Sequence, residues 1–175
     1  MKEISGDECF NVLDQEQYIF FYFGAKWCGP CVKIAPELGD GFLEDIVKIV
    51  KKYKISGIVA TNTTVDRPET TNVSSEKIYE EVGGLSGLPL RDKSTEMIRK
   101  IYRLTNGKIP IIGVGGIFTA DDAWDKIAAG ASMVQLYTGL VFEGPAIAKS
   151  IVKGLKKRVE KEGFETISDV VGIEA

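Results

Sequence analysis

The segment WCGPCVKIAPEL, residues 27–38, allows two incompatible local structures, and the fold of the chain depends on which one forms. It follows YIFFYFG, residues 18–24, an aromatic and β-branched run that predicts a strand buried on both faces. A helix that starts near Cys28 would continue through the segment with a kink at the second proline. Alternatively, residues 32–35 form a strand, because apolar and charged side chains alternate there. We favour the strand, since the rest of the chain supplies further strands for it to join.

Apolar residues beyond this segment follow strand and helix patterns in turn. The alternation predicts right-handed β-α-β crossovers and a parallel sheet of four or five strands in an α/β domain. In the first of the downstream helices, Phe42, Ile46 and Val50 fall at helical spacing and predict an apolar face. The expected strands downstream are residues 55–60, 109–114 and 133–137, and the expected helices are residues 5–17, 42–53, 94–105, 121–129 (capped by Thr119 or Asp121) and 146–162.

The composition excludes several functional classes. The chain has 175 residues, of which 44% are hydrophobic and 27% charged, as is typical of a soluble globular protein with a real core. A net charge of −3 gives no basic excess for binding nucleic acid. No apolar run approaches the roughly 18 residues of a membrane span, and residues 1–10 lack the apolar region of a signal peptide. The chain has no histidine, which removes histidine-based triads and metal sites, and we expect no metal.

Three cysteines, Cys9, Cys28 and Cys31, include one C-x-x-C pair. An odd count with such a pair predicts a reducing compartment and a redox pair in place of a disulfide framework. If Cys28 lies at a helix N-terminus, the helix dipole favours its thiolate, and Cys31 can then resolve a mixed disulfide. Cys9 is better explained as a small buried hydrophobic residue.

Glycines and small polar residues follow three of the predicted strands. They are residues 62–64, 115–116 and 137–139. In a parallel β/α sheet, ligands bind outside the carboxyl ends of the strands, and glycine lets backbone N–H groups approach a phosphate closely. The pattern therefore favours a phosphate site at this edge of the sheet, although ordinary turns between strands and helices explain the same residues.

Five sequence motifs extend this pattern to a family resemblance. They occur in the order KIAPEL (33–38), ATNTT (60–64), GGLSG (83–87), IPIIGVGGI (109–117) and AGASMVQLYT (129–138). Together they resemble the C-terminal half of class 2 dihydroorotate dehydrogenases, the quinone-linked flavoproteins of pyrimidine biosynthesis. The resemblance covers the chain from residue 32 to about residue 172. It implies the C-terminal half of a TIM barrel, an oxidoreductase activity that converts dihydroorotate to orotate, and FMN as the cofactor.

The resemblance also implies roles for individual residues. Lys33 would lie near the flavin ring and stabilise negative charge on the reduced flavin. Asn62 and Thr63 would hold dihydroorotate or orotate through side-chain hydrogen bonds. The other implied FMN contacts are made by Thr61, by the phosphate-cradling Gly87 and Gly116, and by Tyr137 and Thr138, which would close on the phosphate. Without the resemblance, Lys33 is an ordinary solvated lysine and Asn62 a turn residue.

Several residues that the family needs for turnover have no counterpart in this sequence. No residue aligns with the serine that acts as general base, and Ser86 in the glycine-rich loop is not its counterpart. The asparagines that grip the pyrimidine and the helices that admit quinone are also without counterparts. The family is membrane-associated, in eukaryotes at the mitochondrial inner membrane, whereas this chain has no membrane segment. We therefore expect weakened flavin binding and impaired activity.

Residues 5–38 resemble a different family. The predicted strand over residues 18–24 followed by Trp-Cys-Gly-Pro-Cys is similar to a thioredoxin active site, with Cys28 and Cys31 as the catalytic pair. The cis-proline loop that faces the cysteines in that family has no counterpart here. The two resemblances imply a thioredoxin-like fragment over residues 1–35 and a half-barrel over residues 32–175. We expect the two to pack as one domain, with the thioredoxin-like strand added to the sheet.

Three functions therefore stand as alternatives. The first is a flavin domain like that of dihydroorotate dehydrogenase, and the second is a thiol–disulfide oxidoreductase. The third is a non-catalytic chimera that only folds, joined at the hexapeptide KIAPEL that both families share. An open half-barrel would also expose strand edges and an apolar inner face, which predicts a homo-oligomer.

Overall fold

The computed structural model describes residues 39–68 and 83–175. The segment over residues 27–38, with Lys33 and the C-x-x-C pair, lies outside these residues. The helix expected over residues 5–17 and the strand expected over residues 18–24 lie outside them too. Those expectations stay predictions, as do the division into two domains, the reducing compartment and self-association.

Three parallel strands form the sheet of the described residues: β1, Ile58–Ala60; β2, Ile111–Val114; and β3, Met133–Gln135. They lie side by side in the order β1-β2-β3, with Ile58 paired to Ile111 and Ile112 paired to Met133. Neighbouring strands are consecutive and each is followed by a helix, as the alternating pattern predicts. This arrangement fits part of a TIM barrel.

The helices of the described residues are α1, Asp40–Lys52; α2, Arg91–Thr105; α3, Ala120–Ala128; α4, Thr138–Glu143; and α5, Ala146–Glu162. Single 3-10 turns at Leu88–Leu90 and Ile167–Val170 precede α2 and follow α5. The bounds of α5 are those predicted, whereas α2 begins earlier than predicted because the 3-10 turn leads directly into it. None of these helices combines the length and the apolar character that crossing a membrane requires.

All three strands are shorter than predicted, because backbone groups at their ends have other partners. The Ile55 N–H donates to Val50 O at the end of α1 (3.0 Å), so β1 starts later. Pro110 has no N–H to donate, and β2 starts after it. The Tyr137 carbonyl accepts from the Val141 N–H (3.1 Å) in the first turn of α4, so β3 ends at Gln135.

Helix α1 buries a face that includes part of the predicted one but leaves Phe42 out. Its buried side chains are Leu43, Val47 and Val50; Leu43 and Val50 join the cluster of α2 residues under the sheet, and Ile46 packs against that cluster. Phe42, which helical spacing places on the apolar face, is 62% exposed. The prediction for Phe42 is wrong, because spacing alone does not distinguish a stripe that starts at residue 42 from one that starts at residue 43.

The helices cover one face of the sheet and bury apolar clusters against it. The largest cluster packs Ile58 of β1 and Ile111 of β2 against Met97, Ile98 and Ile101 of α2. Ile98 and Ile111 have no exposed surface. Because burial of each such side chain contributes about 1.5–3 kcal/mol, this cluster fixes α2 against the two strands whose ends form the site.

A second cluster surrounds Trp124 of α3, which is 1% exposed. Ile127 of the same helix, Val159 of α5 and Val170 of the last 3-10 turn are buried with it. The Arg158 guanidinium lies over the indole, 4.3 Å from the ring centroid. The indole thereby joins α3, α5 and the C-terminal turn.

Candidate functional site

A cavity of about 420 Å³ opens at the carboxyl ends of the three strands. Four segments line it: the end of β1, the glycine-rich loop before α2, the end of β2, and the chain from β3 into α4. The lining residues are Val59, Thr61, Asn62, Thr63, Ser86, Gly87, Leu90, Val114, Gly115, Gly116, Ile117, Gln135, Leu136, Tyr137, Thr138 and Gly139. This is the edge at which parallel β/α sheets bind ligands.

Two buried polar atoms follow β1 in the wall of the cavity. Thr61 Oγ1 and Asn62 Nδ2 have no hydrogen-bond partner among the described residues. The Thr61 N–H donates to Val114 O at 3.0 Å, which fixes the start of this loop against β2. Asn62 Oδ1 accepts from the Thr63 hydroxyl at 3.5 Å, so the amide nitrogen is the group left as a donor. A buried polar group without a partner costs about 1–3 kcal/mol, and a ligand that supplies one would offset this loss.

The glycine-rich loop lies against the start of α4. Gly87 has a φ of +83°, which residues with a side chain rarely adopt, and a Cβ there would lie 3.2 Å from Thr138 Cγ2. Thr138 Oγ1 donates to Ser86 Oγ at 2.9 Å. Two hydroxyls and bare glycine backbone therefore meet on one side of the cavity, and such groups suit the oxygens of a phosphate.

The loop after β2 packs against the first turn of α2. Gly115 and Gly116 have φ angles of +123° and +68°. A Cβ on Gly116 would lie 2.5 Å from Arg91 Cα, and a Cβ on Gly115 would lie 2.9 Å from Leu90 Cδ2. Because both φ angles are ones that residues with a side chain rarely adopt, and a Cβ at Gly116 would meet a backbone atom, the backbone itself forms the wall of the cavity here.

Helix α3 begins with a capping box. Thr119 Oγ1 accepts from the Asp122 N–H at 3.1 Å, and Asp122 Oδ2 accepts from the Thr119 N–H at 2.9 Å, which confirms Thr119 as the cap. Asp122 also accepts from the Phe118 N–H at 3.0 Å and pairs with Arg91 Nη1 at 3.3 Å. Burial alone would raise the pKa of the Asp122 carboxyl, but these hydrogen bonds and Arg91 lower it below its usual value. The charged carboxylate therefore joins the loop after β2 to α2.

The predicted site residues that fall in the described part of the chain all line this one cavity. They are Thr61, Asn62, Thr63, Gly87, Gly116, Tyr137 and Thr138. Tyr137 is largely exposed, at 72%. Lys33, Cys28 and Cys31 lie outside the described residues, and their roles stay predictions.

The sequence did not predict the contacts that hold the cavity wall from behind. Lys126 of α3 is 0% exposed, and its Nζ donates to Arg91 O at 2.5 Å. In the sequence Lys126 follows Asp125 on a charged helix, which favours a solvated position. The available signal is that Asp122 and Lys126 are four residues apart and so share one face of the helix.

Comparison with known proteins identifies relatives of this chain. The sequence profile of the family described as "Dihydroorotate dehydrogenase" matches residues 28–159. A protein of Trichodesmium erythraeum (strain IMS101), named "Dihydroorotate dehydrogenase (quinone)", is 52% identical over 146 residues, which cover 81% of this chain and 39% of that protein. A protein of the same name from Nostoc punctiforme (strain ATCC 29133 / PCC 73102) is 49% identical over 147 residues, or 82% of this chain and 39% of that protein. The chain thus spans about 39% of the length of these curated relatives.

Solved structures agree with the sequence relatives. The ligand-free DHODH of Eimeria tenella matches with a TM-score of 0.74 at 37% identity, covering 80% of this chain and 38% of that one. The same enzyme in complex with ferulenol matches with a TM-score of 0.73, covering 80% and 36%. The thioredoxin-like assignment of residues 5–38 stays a prediction. Because the family profile and the relatives cover well over half of the sequence, this chain belongs to the dihydroorotate dehydrogenase family.

Proposed function

We propose that the cavity binds FMN together with dihydroorotate or orotate, as the flavin-binding part of a dihydroorotate dehydrogenase. The observation that carries this proposal is the combination of groups in one cavity: bare glycine backbone, paired hydroxyls, and two buried polar atoms without partners among the described residues. The relatives are flavoenzymes, which supports a flavin in general terms. When bound, FMN supplies the acceptor for the hydride taken from the substrate.

The phosphate side of the proposed site is the wall made by glycines. Gly87 and Gly116 would hold the ribityl phosphate through their backbone, and Tyr137 and Thr138 would close on it. In support, a Cβ at Gly116 would meet the Arg91 backbone, so that position has room only for glycine, and a Cβ at Gly87 would crowd Thr138. Backbone N–H groups without a nearby Cβ are well suited to anionic oxygens.

The other side of the cavity would hold the ring system and the substrate. Thr61 would contact the flavin, which would give its buried hydroxyl a partner. Asn62 and Thr63 would bind the pyrimidine, with Asn62 Nδ2 donating to a substrate carbonyl or carboxylate oxygen. The support is that Nδ2 is buried, while Oδ1 already accepts from Thr63. Lys33 would stabilise negative charge on the reduced flavin.

The described lining holds groups that bind and orient but no strong base. Its polar side chains are hydroxyls and amides, and within the described residues the cavity contains no carboxylate, amine or thiol. Removal of a carbon-bound proton needs a base whose pKa lies near the working pH. The base in the family that the chain resembles is a serine, and no lining residue aligns with it, so we propose that these residues bind and orient the ligands.

The Gly87→Ala variant is expected to bind FMN about tenfold or more weakly than the wild type, a loss of about 1.4 kcal/mol. The added methyl group would lie 3.2 Å from Thr138 Cγ2 on the proposed phosphate side. Gly144→Ala is the matched control, because Gly144 has a similar backbone conformation (φ +72° and ψ −178°, against φ +83° and ψ −150° at Gly87) with nothing within 4 Å of its Cβ position. The measurement is the change in flavin fluorescence on titration with purified protein.

Equal affinities for the Gly87→Ala and Gly144→Ala variants would place the phosphate elsewhere. A wild-type protein that leaves flavin fluorescence unchanged at all concentrations would reject flavin binding altogether.

The Asn62→Leu variant is expected to lose stabilisation by orotate without losing stability of its own. Leucine has a similar volume and removes the buried Nδ2, whose lack of a partner among the described residues costs about 1–3 kcal/mol. We expect an unliganded melting temperature equal to or above that of the wild type, and no upward shift with orotate in the presence of FMN. Scanning fluorimetry measures both, and FMN affinity within twofold of the wild type is the control. A lower melting temperature with the orotate shift intact would contradict the assignment of Asn62 to the substrate.

A further inference from the structure

Lys126 of helix α3 is a buried cation that contacts the first turn of α2. Lys126 has no exposed surface, and its Nζ donates to Arg91 O and to Thr95 Oγ1, both at 2.5 Å. The Thr95 hydroxyl itself donates to Arg91 O at 3.0 Å. The ammonium group of Lys126 therefore donates to a backbone carbonyl and to a hydroxyl of α2. Lys126 does not line the cavity.

Stability does not explain why a lysine occupies this place. Burial lowers the pKa of Lys126 from 10.5 to about 8, opposed by the carboxylates of Asp122, Asp92 and Asp125 and assisted by Arg91. Between about pH 8 and pH 10.5 the folded protein therefore binds fewer protons than the unfolded chain, so this group makes folding more favourable as the pH rises. At neutral pH the charge disfavours the folded state. The stability of the fold therefore does not account for a buried lysine at position 126, whereas a role in positioning α2 does.

The first turn of α2, which Lys126 contacts, also packs against Gly116 in the loop after β2. The Cβ position of Gly116 lies 2.5 Å from Arg91 Cα, and Ser94 Oγ donates to Val114 O at 2.9 Å. One turn before Lys126, Asp122 binds the Phe118 N–H and the Arg91 guanidinium. Helix α3 thus contacts α2 through Lys126 and Asp122, and it contacts the loop after β2 through Asp122.

We propose that Lys126 is a positioning residue that holds the first turn of α2 against Gly116 and so sets the shape of the phosphate side of the cavity. This inference rests on the proposed function for its ligand, but the coupling of Lys126 to the Gly116 loop is a property of the free protein. Lys126 acts through Arg91, since it does not itself line the cavity.

The first test compares FMN with riboflavin, which lacks the phosphate. Lys126→Met keeps the length of the side chain and removes its charge and donors. We expect it to weaken FMN binding about tenfold, as the loss of charged hydrogen bonds at a positioned site allows, and to leave riboflavin affinity within twofold. Lys153→Met, on the exposed face of α5, is the control and is expected to change neither affinity. Equal losses for the two flavins, or none, would overturn the proposal.

The pH dependence separates positioning from a general loss of structure. Deprotonation of Lys126 weakens its charge-assisted bonds to Arg91 O and Thr95 Oγ1. Wild-type FMN affinity should therefore fall as the pH rises through about 8, where the lysine titrates. The Lys126→Met variant should show no such fall. An identical pH profile in both proteins would count against the proposal.

The second test needs no flavin. In the free, isotope-labelled protein, the backbone amide resonances of Gly116 and Phe118 should shift with a midpoint near pH 8 in the wild type and in Lys153→Met, but not in Lys126→Met. Amide resonances that do not move with pH would overturn the proposal whether or not FMN binds. If the amides titrate while the wild type binds no flavin, the positioning of the loop is supported and the proposed function is rejected.

Discussion

The Gly116→Val variant is expected to lose about 3 kcal/mol or more of its free energy of unfolding. Gly116 has a φ of +68°, and a left-handed conformation costs a residue with a Cβ about 1–2 kcal/mol. The new Cβ would also lie 2.5 Å from Arg91 Cα, a backbone atom that moves only if α2 moves. Overpacking of this kind adds about 1–3 kcal/mol. Urea denaturation followed by circular dichroism measures the loss.

Gly163→Val separates the two contributions. Gly163 is in the left-handed conformation, with a φ of +79° close to that of Gly116, but nothing lies within 4 Å of its Cβ position. It should therefore lose only the backbone contribution of about 1–2 kcal/mol. If both variants lose the same amount, the contact between Gly116 and α2 does not limit the side chain at this position.

Replacement of Trp124 by alanine is expected to lower the free energy of unfolding by about 3–5 kcal/mol, the range for large aromatic side chains in a core. The indole is 1% exposed and is buried with Val159 of α5 and Val170 of the last turn. Its ring centroid lies 6.2 Å from that of Phe164, and Arg158 stacks on its face. Loss of the indole therefore leaves a cavity where three elements meet, which calorimetry should show as a lower melting temperature.

Phe142→Ala is the matched control for Trp124→Ala. Phe142 is also aromatic, but it is 76% exposed on the short helix α4. Its removal should change the free energy of unfolding by no more than about 0.5 kcal/mol, as for most surface substitutions. A large loss in Phe142→Ala would mean that this side chain is covered in solution, and a small loss in Trp124→Ala would contradict the assignment of the second core cluster.

Local patterns in the sequence predicted much of the fold and the location of the cavity. The apolar stripe of Ile147, Ile151 and Val159 predicts α5, and in the structure the helix ends at Gly163 with a φ of +79°. The cavity follows from the polar and glycine residues placed directly after each strand, because parallel strands end at a common edge. Each argument uses only residues that lie within one helix or directly after one strand in the sequence.

Contacts between distant residues account for what the sequence did not predict. Arg91 O, the partner of Lys126, lies 35 residues earlier, and no local pattern indicates it. The buried face of α1 is likewise chosen by its contact with α2, so the spacing of Phe42 was not enough to place it. For residues 27–38, the alternation of apolar and charged side chains fits a strand, but a helix that starts near Cys28 fits the same segment. The choice between them depends on partners that lie far away in the sequence.

The two crossovers of the sheet differ in length, and this difference predicts an order of events during refolding. Ile112 pairs with Met133, whereas Ile58 pairs with Ile111 across a stretch more than twice as long. Each doubling of a closed loop costs about 0.6 kcal/mol more in entropy, and contacts between near residues form sooner. The unit of β2, α3 and β3 is therefore expected to assemble first, with its capping box in place. Strand β1 joins this nucleus later and brings Asn62, so the Gly116 loop takes shape before the side of the cavity proposed to hold the substrate.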